Sequence, residues 1–168
     1  FDPPMGDFRF VCVRFISVLL GIFITKFLFS YSSGPPDGYH GQFVSCTSCH
    51  SGSATSAGNH FSISGLPTSY TPGNTYNLVL NLSASHARGY GFQLAVKDNS
   101  SFSGTLNTSH GGTRIDSNYF EHTTRVTDST INFSWTAPSS NAGDITFYLS
   151  ALATGGSSGT SGDTTYIL

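Results

Sequence analysis

Cys46-Thr47-Ser48-Cys49-His50 is the stretch of this chain whose residue types and spacing could do chemistry. C-x-x-C-H is an attachment signature for haem of the c type. Two thiols three positions apart can each form a thioether to a porphyrin vinyl group, and the adjacent imidazole can give the iron its proximal nitrogen. The expected cofactor is therefore one covalent haem c, with Cys46 and Cys49 as the attachment thiols and His50 on the iron. Two other uses of the same residues stay open. The thiols could close a Cys46–Cys49 disulfide in an oxidising compartment, or they could bind a metal. Zinc would need four ligands, usually from a second C-x-x-C or an H-x-x-x-H, and the sequence has neither. A thioredoxin-type pair would open a helix in a βαβ setting, and nothing in the chain reads as βαβ.

The N-terminus sets the compartment. Phe1 to Pro4 precede Met5, the only methionine, and read as a short upstream extension. Arg9 and Arg14 then lead into an apolar run, Phe15 to Ile24, followed by Phe27-Leu28-Phe29 and the small residues Ser30, Ser32 and Ser33. That order describes a secretory signal peptide cleaved after Ser32. Arg14 and Lys26 bracket too few apolar residues for a spanning helix, which needs about 20. Export removes Cys12 with the signal and places the product in the periplasm, on the cell surface or outside the cell, with no membrane span. The expected organisation is a signal peptide over 1–32, a loop-rich C-x-x-C-H segment over 33–59 and a β-sandwich over 60–168.

Composition narrows the partners. The 168-residue chain has 10% charged residues and a formal net charge of -2. Nucleic acid and anionic membrane both require basic patches that such a chain lacks. Asn81, Asn99, Asn107 and Asn132 begin N-x-[ST] triplets, read here as by-products of a sequence rich in Ser, Thr and Asn.

The elements that must position the cysteines are strands. Pro35, Pro36 and the flanking glycines exclude helix from the start of the exported part. Further on the period is two: Tyr76, Leu78, Leu80 and Leu82 share one face of 74–82, and Tyr90, Phe92, Leu94 and Val96 share one face of 90–97. Ile131, Phe133 and Trp135 do so in 130–136, and Ile145, Phe147, Leu149 and Ala151 in 144–153. Residues 164–168 form a closing strand. Turn residues such as Thr71-Pro72-Gly73 and Asn141-Ala142-Gly143-Asp144 separate the runs. The fold class is all-β, an antiparallel immunoglobulin-like β-sandwich preceded by the loop-rich haem-attachment segment. Trp135 is placed in its core.

Several motifs resemble one family. Ser33-Gly34-Pro35-Pro36-Asp37-Gly38-Tyr39 leading to Cys46-Thr47-Ser48-Cys49-His50-Ser51-Gly52 is similar to the opening of the bacterial choice-of-anchor V domain, a relative of the reelin N-terminal (Reeler) domain. Tyr70 to Tyr76, Gly91-Phe92-Gln93-Leu94, Tyr119-Phe120-Glu121-His122-Thr123, Phe133 to Pro138, Gly143 to Tyr148 and Ser161-Gly162-Asp163 continue the resemblance in order. It implies a secreted or surface β-sandwich whose bacterial members carry a haem-type motif ahead of it.

A sixth iron ligand would then come from His40, His60, His86, His110 or His122. His122 leads because the resemblance puts it in a Tyr-x-x-His-Thr stretch at a strand end facing the N-terminal segment. His86, beside Arg88, and His60, near His50 in sequence, follow. Arg114 and Arg125 flank His122 and could pair with haem propionates. The function expected first is an exported monohaem c-type cytochrome domain that transfers electrons at the cell envelope to a redox partner protein. The alternative is a non-catalytic adhesion or glycan-binding module with Cys46–Cys49 as a disulfide. Self-assembly is compatible with both. No nucleophile, base and orienting carboxylate stand in a context that supports hydrolase or transferase chemistry, so no catalytic residues are expected.

Overall fold

Apolar residues at every second position, punctuated by Gly, Asn and Pro, bury one side of a pleated strand and leave the other free. The structure is a computed structural model that describes residues 33–50, 53–99, 101–155, 160 and 162–168. The expected signal peptide, with Met5 and Cys12, lies outside the described residues. After a 3-10 turn at Cys46–Ser48 the described residues form β1 (Thr55–Ser56), β2 (Phe61–Ser64), β3 (Thr75–Leu82) and β4 (Tyr90–Asp98). β5 (Ser101–Phe102), β6 (Thr105–Asn107), β7 (Thr113–Asp116) and β8 (Tyr119–His122) follow, then β9 (Thr130–Thr136), β10 (Ile145–Ala153) and β11 (Thr164–Ile167). The fold is all-β with two sheets. One runs β1-β11-β10-β4-β8-β7, with β5 added on β4, and the other runs β2-β3-β9-β6. β1 pairs with β11 in parallel; the remaining ladders are antiparallel. No helix among the described residues is long and apolar enough to cross a membrane.

Both sheets feed one buried cluster. Leu78 and Leu80 of β3 and Ile131, Phe133 and Trp135 of β9 meet Phe92, Leu94 and Val96 of β4 and Leu149 and Ala151 of β10. These are the faces that the period-two pattern selects. The short strands carry weaker signals. β7 and β8 are joined by Ser117 and Asn118, with φ of 49° and 77°, and Asp116 pairs with Tyr119. Two positive φ values in a two-residue loop make the tight hairpin that matches strand twist. Ser-Asn is a weaker sequence mark of it than Asn-Gly.

β4 departs from the half-buried pattern. Its residues are buried on both faces from Tyr90 to Lys97, because residues 33–50 lie across the outer side of the seven-stranded sheet as a strap. Gly34 sits over Glu121 and Arg114. The Pro36 carbonyl accepts from Gln93 Nε2 at 3.1 Å, and Gln42 Oε1 accepts from Lys97 Nζ at 2.9 Å. The strap thus passes from the β7–β8 edge to the β10–β11 side, where it delivers the cysteine turn.

Candidate functional site

The cysteine turn is built locally and then fixed by the sheet. Ser45 caps it, its hydroxyl accepting from the Thr47 amide at 3.4 Å, and the Cys46 carbonyl accepts from the amides of Cys49 and His50. Ser150 of β10 anchors it from below. The Cys46 amide donates to Ser150 Oγ at 3.1 Å, and Ser150 Oγ–H donates to Cys46 Sγ at 3.2 Å. Cys46 is half-buried, and the burial of its thiol pushes the pKa up to about 11. Both thiols are free. His50 Nδ1 meets Asp163 Oδ2 at 2.7 Å, with the Asp163 side chain only 3% exposed. Asp163 Oδ1 in turn accepts from the Gly155 amide at 3.0 Å. The structure therefore brings Cys46, Cys49 and His50 together with Ser150 and Asp163, on β10 and at the start of β11.

The expected distal ligands are elsewhere. His122 ends β8, two strand spacings, about 10 Å, from β10, where Ser150 holds Cys46. Its Nδ1 lies 3.0 Å from both the amide nitrogen and the carbonyl oxygen of Phe92, so the ring is spent on the β4 backbone rather than turned toward the cysteines. His60 Nδ1 lies 2.9 Å from the Ser83 carbonyl oxygen, and its ring packs on Tyr166. His86 is exposed, and His110 pairs with Asp128. Arg114 binds Glu121 and Asp116 through its guanidinium, and Arg125 packs its stem over Gly89.

A second polar cluster lies under the strap, and sequence reasoning missed it. Glu121 is 1% exposed. Its Oε1 accepts from Arg114 Nε at 3.0 Å and Nη2 at 2.7 Å, and its Oε2 accepts from Gln93 Nε2 at 2.8 Å. Gly34, with φ +110°, clears this cluster: a Cβ there would stand 2.8 Å from Glu121 Oε1. Further along, His40 is buried between Tyr119 and Tyr148. Only the pairing of an apparently solvent-facing Gln93 with Glu121 across β4 and β8 could have hinted at a covering segment, and that register is invisible without the fold.

Residues 44–155 match the Reeler domain family model. No curated protein matches the sequence. Among solved structures, the chain is similar to the Reelin-N domain of F-spondin, at TM-score 0.51 and 22% identity over 60% of this chain and 77% of that one. It is also similar to the human F-spondin reeler domain (fragment 1), at TM-score 0.49 and 22% identity over 60% of this chain and 79% of that one. The first likeness supports the fold and nothing further.

Haem c, iron ligation and electron transfer, expected from Cys46, Cys49 and His50 with His122, His86 or His60 opposite, do not stand. The matching family is the Reeler domain, the shared fold is that of F-spondin, and among the described residues no group of three or more His, Cys, Asp or Glu is placed to hold a metal ion. C-x-x-C-H specifies adjacency along the chain, whereas a haem needs its thiols and both axial ligands to open on one cavity. Here the Ser150 hydroxyl holds Cys46 Sγ, and the leading distal histidine is bound to the β4 backbone. The short motif suggested a cytochrome, but the match over 44–155 gives the chain another place: it belongs to the Reeler domain family.

Proposed function

We propose that this chain is an exported, non-catalytic glycan-binding module, built as an immunoglobulin-like sandwich and allied to the bacterial choice-of-anchor V group. The observation that carries the proposal is an open groove of about 510 Å³ at one end of the sheets. Its walls are Leu66 and Tyr70 on one loop, Asn141 and Asp144 on another, and Ile145 and Phe147 on β10. Ligand sites of about 300–1,000 Å³ combine apolar walls with a few placed polar groups. Tyr70 ties the two loops together: its hydroxyl donates to Asn141 Oδ1 at 3.2 Å and accepts from the Ala142 amide at 2.8 Å. The groove is therefore held open before any ligand arrives. Apolar walls suit the carbon faces of a sugar ring, and Asn141 and Asp144 suit its hydroxyls.

The test is binding of the full chain to an array of immobilised glycans, repeated with Asp144→Ala and Phe147→Ala. Specific binding weakened at least tenfold by both variants is the expected result. Absence of binding to any glycan, or equal binding by both variants, rejects the groove as a sugar site.

In this proposal Cys46 and Cys49 close a disulfide after export. A 3-10 turn rises about 2 Å per residue and eclipses side chains three apart, so the two Cα atoms stand about 6 Å apart, inside the range of about 4.4–6.8 Å that a disulfide spans. The high-pKa Cys46 is a poor leaving thiolate, which slows reduction by attack at Cys49. Protein secreted into an oxidising medium is expected to be lighter by two hydrogens than the same protein after reduction. Equal masses would rule the bridge out.

A further inference from the structure

The strap over residues 33–50 is held by polar contacts, and besides His50 at Asp163 one of its anchors, His40, can change charge. His40 is 2% exposed. Its ring stacks on Tyr119 of β8 at a centroid distance of 5.6 Å and tilts against Tyr148 of β10 at 5.8 Å. The Gln42 amide donates to His40 Nδ1 at 3.3 Å, so Nδ1 is an acceptor and the docked imidazole is neutral with its proton on Nε2. Gln42 is itself held by Lys97 of β4, which places a fixed positive charge beside the ring.

We infer that residues 33–50 form an acid-released latch, in which protonation of His40 undocks the strap and bares the outer face of the seven-stranded sheet. A proton on Nδ1 would face the donating amide of Gln42 and end that contact. It would also add a charge to a buried site where Lys97 repels it. Burial first, then Lys97, hold the docked His40 below its ordinary value of 6.5. A backbone hydrogen bond at His40 itself pulls the other way and is the smallest of the three effects, and the neighbouring side chains add no opposing charge. Tyr119 has its own pKa raised, by burial and then by Asp37, and Tyr148 offers an aromatic face. Asp37 acts on Tyr119 and Arg114 but not on His40. Glu121 is occupied by Arg114 and Gln93. The proposed disulfide joins Cys46 to Cys49 within the strap, so it does not tether the strap to the sheet.

The sign follows from proton binding. A histidine free in an undocked strap titrates near 6.5 and takes up a proton more readily than the docked one, so docking is complete above that pH and weakens as pH falls below it. One group gives at most tenfold per pH unit.

Amide hydrogen exchange on the full chain tests this, with each rate divided by its intrinsic rate at the same pH. The reporters are the Cys46 amide, bonded to Ser150, and the Gly41 amide, bonded to the Val44 carbonyl. Their protection is expected to fall by about tenfold between pH 7 and pH 5, while the β4 core amides keep theirs. His40→Phe preserves the stacked ring without its proton and should abolish the loss of strap protection on the acid side, leaving only the contact of His50 with Asp163 to respond to pH. Strap protection that is flat with pH in the unaltered chain, or an equal slope in His40→Phe, overturns the latch. Should His40→Phe fail to dock at pH 7, the His40 ring resonances of the unaltered chain decide. A titration midpoint below 6.5 supports the latch, and one at or above it sinks it.

Discussion

Trp135→Ala is expected to lower the unfolding free energy by about 3–5 kcal/mol, the range for truncating a fully buried large aromatic. Trp135 is 1% exposed and stands where both sheets and the proposed groove meet. Tyr76 stacks on it at 5.8 Å, and Tyr70 and Phe147 meet it edge-on at 5.7 Å and 5.5 Å. Its Nε1–H donates to the Ser103 carbonyl at 3.0 Å. Gly104, at φ +76°, lies so close against the indole that a Cβ has no space there, so neither the backbone nor a neighbour is shaped to refill the void. Trp135→Phe should cost less, because it keeps a ring in the cluster and gives up part of the volume and one hydrogen bond worth about 1 kcal/mol. Urea denaturation of both variants checks the order, with the m-value watched for loss of two-state behaviour. If Trp135→Ala unfolds at the same urea concentration as the unaltered chain, the indole is not central to this core.

Glu121→Ala is expected to be the next most costly change, at about 2–3 kcal/mol, because it removes a charged acceptor from a buried network. The loss falls unevenly on the partners. The Arg114 side chain is 43% exposed and keeps Asp116 at 3.0 Å, so its guanidinium can rehydrate. Gln93 is fully buried, keeps only the Pro36 carbonyl for its amide nitrogen, and already has an Oε1 without a protein partner. The gap left under Gly34 should also loosen the strap. Hydrogen exchange is therefore expected to show a larger loss of protection at Cys46 and Gly41 than at the β4 core. Glu121→Gln should be milder, since its side chain can still accept from Gln93 or Arg114. A Glu121→Ala protein as stable as the original would mean that the ion pair and its amide partner merely offset the cost of burying them.

Alternation along the chain marked the long strands and which side of each faces inward. In β3, Leu78, Leu80 and Leu82 are buried while Thr75 and Asn77 are exposed, and β9 and β10 begin and end within one residue of the runs read from alternation. Alternation works there because one side of those strands meets the core and the other meets water, so the chain spells out the difference. The ordered motifs likewise carried the Reeler resemblance, which the family match over 44–155 bears out. The same local logic misled at Cys46-Thr47-Ser48-Cys49-His50. Five residues can satisfy a signature through adjacency alone, while the cavity it implies must come from strands scattered along the chain.

What covers the outer side of β4 emerges only from packing. Gln93 and Lys97 alternate with Phe92, Leu94 and Val96 as solvent-facing residues would, yet they are buried. The strap that covers them has no period of its own, since Gly34, Pro35, Pro36 and Gly38 allow neither helix nor ladder. Its order comes from contacts made at sequence separations such as 57 residues for Pro36 and Gln93 and 104 for Cys46 and Ser150. Local propensity speaks only for neighbours along the chain. The burial of His40, the Glu121 network and the partnership of His50 with Asp163 are products of register and layering, which exist only once the two sheets and the strap have come together.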